Sequence, residues 1–473
     1  MKVRFSKSNP GIRLFVWAFV LFTICTGYTA FTKPQIKKHS AQFVLYLEVT
    51  EEFSDEVILH IDSIRLIKTD SSFFTIPVSK IISSQKTASQ QIKLIDRYIE
   101  PGMYTSALFF CSGIEGYIGK VKMQADISVS GYRIPLLKEA TAERCCFVNM
   151  VWDVHPFDEK EKEYQPHISV SSSVVQNFKD ILLVSNENSD NVTIIDQLTY
   201  KILDVLKTNK GPRGMVYAEQ NQLLFVANSK SDNISIYNIL NLQKIKDISL
   251  NNGDEPSRLI LSDDEQYLYI LNYGSKSLSI VNLLSYQEES RVYDFEDLYA
   301  IALDETKGYL YISEPLSNKV RIFDPVNNTI VSEISFDGHV TELAFNNITE
   351  ELIVAAKYRG LLFRYNSKTG EFANPVNLCS PASGISFNTF GDNLFVSEKD
   401  CKIVAIVDPE KSIEISTIYL DDEPGLIAQD SDNRNLFLIY PDNDVLSIFS
   451  IHSKTLVKTI DVGKRPYTAL DIW

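Results

Sequence analysis

Few of the groups that enzyme chemistry relies on are present in usable patterns. Histidine occurs six times in 473 residues, at His39, His60, His155, His167, His339 and His452, and cysteine six times. There is no CxxC and no Cys/His grouping at a zinc spacing. A GxSxG elbow, an HExxH pair, a Walker-type loop and a glycine-rich dinucleotide fingerprint are all missing from fitting contexts, so the sequence carries no catalytic signature of those kinds. Positive charge is short as well. Lys and Arg number 46 against 61 Asp and Glu, a net charge of −15. A surface of that sign repels phosphate backbones and argues against nucleic acid as a partner. With 44% hydrophobic and 23% charged residues the composition is that of a folded soluble protein. The 23 Tyr and 26 Phe suit strands more than helices.

Long apolar runs are scarce, and only the first forty residues carry one of interest. Lys2, Arg4, Lys7 and Arg13 lead into LFVWAFVLFTICTGYTAF, residues 14–31. Positive residues ahead of such a core read as a secretory signal peptide or signal anchor over 1–31. A cleavage site is poor, because bulky Tyr28 precedes Ala30 by two. Cys25 follows Ile24, where lipidation needs a small residue. The rest of the chain is therefore expected outside the cytoplasm, in the periplasm or at the cell surface, with a single-span membrane tether if the leader is retained. Without those residues the net charge falls to −19, since four positive and no negative charges go with them. Five cysteines remain, an odd number, in a compartment that permits disulfides.

An internal repeat dominates the remainder. One short strand recurs as LLVSN ending at Asn186, LFVAN at Asn228, LYILN at Asn272, LYISE at Glu314, LIVAA at Ala356, LFVSE at Glu398 and LFLIY at Tyr440, with spacings of 42, 44, 42, 42, 42 and 42. That period suits four strands per propeller blade. After each comes an alternating strand such as NVTIIDQ (191–197) or NISIYN (233–238), then a third such as KILDVLK or KIKDISL. A connection often holding Pro212, Pro256, Pro381, Pro424 or Pro466 opens the innermost strand of the next blade. The first repeat lacks an innermost strand, and Pro466–Trp473 has no strands after it. Circular closure pairs the two and removes an exposed edge. The expected fold is all-β: a seven-bladed β-propeller over 173–473 closed by the C-terminal strand. An antiparallel β-sandwich over 41–155 (FVLYLEV, VILHIDSIRLI, YTSALFF, FVNMVWDV) and a charged linker over 156–172 precede it.

Blocks such as LLFVANSKSDNISIYN (223–238) and LLVSNENSDNVTIIDQ (182–197) resemble the YVTN-type repeats of bacterial and archaeal surface-layer and periplasmic propellers. The resemblance covers roughly 180–473 and implies architecture and location rather than chemistry. It weakens at LIVAAKYRGLLFRYN (352–366), which drops the Asn and reads as a shortened turn.

The connections between blades should gather on one face, where ligands commonly enter. That face would carry Arg213, Arg258, Tyr299, His339, Glu423, Arg465 and Tyr467, a mixed-charge ring fit for a protein or a polar small molecule. With only His339 on it, the multi-histidine copper site of some propellers is not expected. Glu255, Glu296 and Glu423 stand at corresponding positions and could hold a divalent cation for lactonase-like hydrolysis. Cys379 and Cys401 fall in adjacent connections at one end of a strand pair and are expected to form a disulfide. The reading is a non-enzymatic extracytoplasmic binding or scaffold protein with no cofactor. The alternative is a metal-dependent hydrolase using the channel carboxylates.

Overall fold

Every helix or strand among the described residues is a β-strand. The computed structural model describes residues 40–473 apart from 51–55, 119–120, 126–127, 156–163, 172–179, 358–359 and Trp473. The expected leader lies outside the described residues, as does much of the expected linker.

The N-terminal strands are β1 (Ala41–Val49), β2 (Val57–Lys68), β3 (Phe73–Ser83), β4 (Gln91–Ile99), β5 (Gly102–Ile118), β6 (Val121–Gln124), β7 (Tyr132–Ala140), β8 (Cys146–Asp153) and β9 (His167–Val170). They form two sheets, β4-β1-β8-β9 and β3-β2-β5-β6, with β7 also on β5. Phe43, Leu45, Leu47, Val148, Met150 and Trp152 of the first meet Leu59, Ile64, Tyr104 and Phe109 of the second in one core. Two expectations need correcting. The sandwich is not wholly antiparallel, because β1 and β8 run parallel, Phe43 opposite Cys146 through Val49 opposite Trp152. Residues 50–145 build the whole second sheet between them, which supplies the long crossover a parallel pair requires. The expected linker also contains structure: HISV forms β9 against Met150–Asp153, and Tyr164 is buried. The charges of 156–165 obscured the alternation that resumes directly after them.

Residues 181–472 form seven four-stranded antiparallel sheets. Six are continuous in sequence, for example Pro212–Ala218, Leu223–Asn228, Asn233–Asn238 and Gln243–Ser249. The other combines Ile181–Asn186, Asn191–Asp196 and Ile202–Lys207 with Pro466–Ile472, which pairs antiparallel to Ile181–Asn186. The second strands are almost wholly buried, entirely so in Leu223–Asn228 and Ile181–Asn186, because apolar clusters cover them on both faces. Each pair of consecutive sheets shares one apolar cluster, and the sheet ending at Asp461 shares another with the sheet of Ile181. The inner strands pack closely. A Cβ on Gly214 would sit 2.6 Å from the carbonyl oxygen of Ser257 on the next sheet.

The turn after each second strand holds a left-handed residue at the repeat spacing: Asp190, Asp232, Lys276, Asn318, Gly360, Lys402 and Asp444. Four residues separate Ala356 from Leu361, as four separate Asn228 from Asn233, so the spacing there is not shortened, and Gly360 takes the place of Asp232. What that sheet does lose is its outer strand, reduced to Val376–Asn377.

β1 is buried on both faces. Its odd-numbered residues face the sandwich core, while Val44 and Tyr46 join Leu182, Val184, Phe437, Ile439 and Ile460 of the first and last sheets. The Tyr46 hydroxyl donates to the Asp461 carbonyl at 3.0 Å. The Gln91 side chain accepts from the Ile202 amide at 2.6 Å and donates to the Ile202 carbonyl at 3.3 Å, mimicking a strand bridge. The sandwich thus docks on the two sheets where the C-terminal strand meets Ile181–Asn186.

Candidate functional site

The inner strands are irregular at one end, and that irregularity builds the site. Between Pro212 and Met215, Pro256 and Arg258, Val340 and Leu343, and Pro466 and Ala469, the pairing with the second strand shifts register. Such bulges re-aim side chains that a regular ladder would direct between the sheets. The residues carried there are Arg213, Arg258, Glu342 and Tyr467. Buried serines brace the bulges across sheets. Ser185 Oγ donates to the Arg213 carbonyl at 2.7 Å, and Ser313 Oγ to the Thr341 carbonyl at 3.0 Å.

Tyr467 brings two arginines together at this end. The guanidinium carbons of Arg213 and Arg258 stand 5.6 Å and 5.8 Å from its ring centroid, within cation–π range. Arg258 also reaches Glu342, two sheets away, with Nη2 2.8 Å from Oε1. Arg213 pairs with Glu187 at 3.1 Å, and Glu187 further meets Lys230 at 3.3 Å and Arg465 at 3.4 Å. Burial pushes the Glu187 carboxyl up, but Arg213, Lys230 and Arg465 together more than reverse that and hold it below the usual range. Burial outweighs Arg258 at Glu342 and holds that carboxyl above its usual range. Burial and the neighbouring Glu342 push the Tyr299 phenol up to about 12, although 41% of the residue is exposed. Four cations therefore face two carboxylates in an otherwise acidic protein. The Nε atoms of Arg213 and Arg258 are buried with no hydrogen-bond partner among the described residues. Guanidinium groups with spare donors recognise carboxylates and phosphates in a planar, two-point geometry.

Of the residues named from sequence, Arg213, Arg258, Tyr299 and Tyr467 come together, and Arg465 joins through Glu187. Glu423 is turned to Lys399, 3.2 Å away, and His339 offers its carbonyl to the Lys357 amide at 2.8 Å. Glu255, Glu296 and Glu423 do not form a ligand set; among the described residues the one such group is Cys379, Glu398 and Cys401. The three glutamates sit on separate connections, and the amides of Glu255 and Glu296 are spent on Asp232 and Glu314. Cys379 and Cys401 are joined as a disulfide with Cα atoms 6.3 Å apart. Sequence reasoning missed Glu187 and Glu342. A signal for Glu342 was present: it stands at the same repeat position as Arg258, where Gly214, Ala300 and Gly384 occupy other sheets.

Larger cavities lie elsewhere. One of about 640 Å³ opens at the opposite ends of the inner strands, between Tyr217, Leu303, Phe345 and Leu470 with Glu219, Asp263 and Glu305 at its rim. Another, about 530 Å³, separates the sandwich from the sheets at Lys138, Arg144, Asn149 and Asp204.

No family model matches the sequence, and no curated protein matches it. Solved structures do. A functionally unknown protein from Desulfotomaculum acetoxidans superposes with a TM-score of 0.55 at 13% identity, covering 62% of this chain and 99% of that one. The dihydro-heme d1 dehydrogenase NirN, in complex with DHE, gives 0.50 at 12% identity, over 63% and 76%. The Kuenenia stuttgartiensis hydrazine synthase gives 0.49 at 15%, over 60% and 92%, a likeness too slight to carry an argument. The first two likenesses are of fold alone. They define the class, an all-β protein of propeller type.

Proposed function

We propose that this chain is an exported, non-enzymatic binding or scaffold protein. In this reading residues 181–472 are a closed seven-bladed propeller of YVTN-like repeats, and its bulged mouth receives an anionic group. The single observation that carries the binding reading is Tyr467 flanked by Arg213 and Arg258, whose buried Nε donors have no partner among the described residues. The fixed Glu187 and Glu342 hold both guanidinium groups in place without neutralising the whole mouth. Closure of the propeller is supported by the pairing of Pro466–Ile472 with Ile181–Asn186 and by the cluster shared between the first and last sheets. Export rests on the basic and apolar leader in the sequence. No observation favours the hydrolase reading, because its three glutamates are not gathered.

The binding test uses a panel of inorganic phosphate, a dicarboxylate and short peptides with free C-terminal carboxylates. Calorimetry on the wild-type protein should find at least one binder. Its affinity should fall at least about tenfold in Arg213→Gln/Arg258→Gln, the loss of one charge-assisted contact or more. A panel that binds nowhere, or binds the double variant equally well, contradicts the mouth as the site. Finding the folded protein in the cytosol contradicts export.

A further inference from the structure

Glu398 ends the strand Leu394–Glu398, at the repeat position where Asn186, Asn228 and Asn272 end theirs. Those asparagines are buried and their side-chain amide nitrogens donate across the turn, Asn228 to Asn233 and Ser235 and Asn272 to Ser277 and Ser279, while their Oδ1 atoms have no partner among the described residues. Opposite Glu398 the corresponding residues are Ile403 and Ala405, which offer no polar side-chain atom. The other glutamate in the series, Glu314, finds Arg321 at 2.9 Å. Glu398 finds no cation among the described residues. It is fully buried, its Oε2 accepts the Ser380 amide at 2.7 Å, and its Oε1 has no hydrogen-bond partner among the described residues. The charged form of a carboxyl buried in this way is costly unless something positive meets it.

What lies beside it is sulfur. A carboxylate oxygen of Glu398 and the Sγ atoms of Cys379 and Cys401 are all within 4.8 Å of one another. Cys379 is exposed, so the disulfide is open to reagents from solvent. We propose that Cys379, Glu398 and Cys401 form a redox-gated site for a thiophilic divalent cation such as Zn²⁺ or Cd²⁺. In the oxidised protein the two sulfurs are bonded and the site is closed. An external dithiol transfers two electrons and two protons, becoming a disulfide itself and leaving two thiols here. The cation then displaces the two thiol protons and takes two thiolates and the Glu398 carboxylate as ligands. Two soft sulfurs with one oxygen select Zn²⁺ or Cd²⁺ over Mg²⁺ or Ca²⁺, and the fourth tetrahedral position stays open to water. Either state ties the connection at 378–381 to the turn at 399–402, and only the reduced, metal-free state releases them. This inference is independent of the binding mouth.

The test needs no mutation at first. Full-length protein is reduced with a phosphine under nitrogen, freed of reductant, and alkylated with or without one equivalent of Cd²⁺. Peptide mapping should find Cys379 and Cys401 labelled without Cd²⁺ and protected with it, while the oxidised protein shows no thiolate-to-metal absorption on titration. Equal labelling of both cysteines with and without Cd²⁺ overturns the proposal. Glu398→Gln should weaken Cd²⁺ binding by about tenfold or more, and Glu398→Asp should recover part of it. Unchanged affinity in a folded Glu398→Gln protein overturns the role of the carboxylate. Full binding retained in Cys379→Ser/Cys401→Ser places the metal on the other cysteines and overturns the site.

Discussion

Replacing Tyr46 with alanine tests how the sandwich and the propeller-type sheets are joined. The side chain is 1% exposed, lies in the cluster shared with Leu182, Val184, Phe437 and Ile439, and donates to the Asp461 carbonyl at 3.0 Å. A buried tyrosine removes roughly 150–250 Å² from water, and large-to-small changes at aromatic core sites cost about 3–5 kcal/mol. The compact unit of Ala41–Trp473 carries an unfolding entropy of roughly 0.9 kcal/mol/K at typical per-residue values. A loss of about 4 kcal/mol then lowers the melting temperature by about 4–5 °C if the unit melts as one. Scanning calorimetry on wild type should therefore show one transition. In Tyr46→Ala the transition should move down and broaden or divide, as the sandwich uncouples. Tyr46→Phe loses only the hydrogen bond and should cost about 1 kcal/mol. Wild type melting in two separate steps, or Tyr46→Ala melting within a degree of wild type, would refute the shared core as the joint.

Truncation after Gly463 removes Pro466–Ile472, leaving Ile181–Asn186 as an open edge; aggregation or rapid limited proteolysis is expected, and a monomer with unchanged melting contradicts closure. Gly214→Val forces a side chain into the 2.6 Å approach to the Ser257 carbonyl, and should cost 1–3 kcal/mol or more in denaturant melts. For Glu187 the folded carboxyl titrates below its unfolded value, so its contribution is present above the ordinary glutamate range and is lost as pH falls through the folded value. Glu187→Gln should accordingly flatten that part of the acid-unfolding curve, and an identical acid midpoint and slope would count against the three-cation arrangement.

Much of the sheet architecture was legible because its information is local. Alternating apolar residues, a period near 42 and polar turns report strands, and the positions of Arg213, Arg258 and Tyr467 at the starts of inner strands follow from counting. The nearness of Cys379 to Cys401 followed from the same counting, since both fall at one end of a single strand pair. By itself, then, the sequence determined the strands, their order within each sheet and which residues crowd one end. Tertiary structure decided the rest, through contacts between residues far apart in the chain. The parallel pairing of β1 with β8 depends on a crossover of nearly a hundred residues, and local alternation is blind to strand direction. Val44 and Tyr46 lie on the outward face of β1, and only docking against Leu182 and Phe437 explains why that face is apolar. Glu187 and Glu342 look like ordinary loop and strand acids until the bulges turn Arg213 and Arg258 towards them. Glu398 acquires its meaning in the same way: a buried carboxyl is defined by the partners that surround it in space, and here those are the Ser380 amide and two sulfurs, with no cation among the described residues.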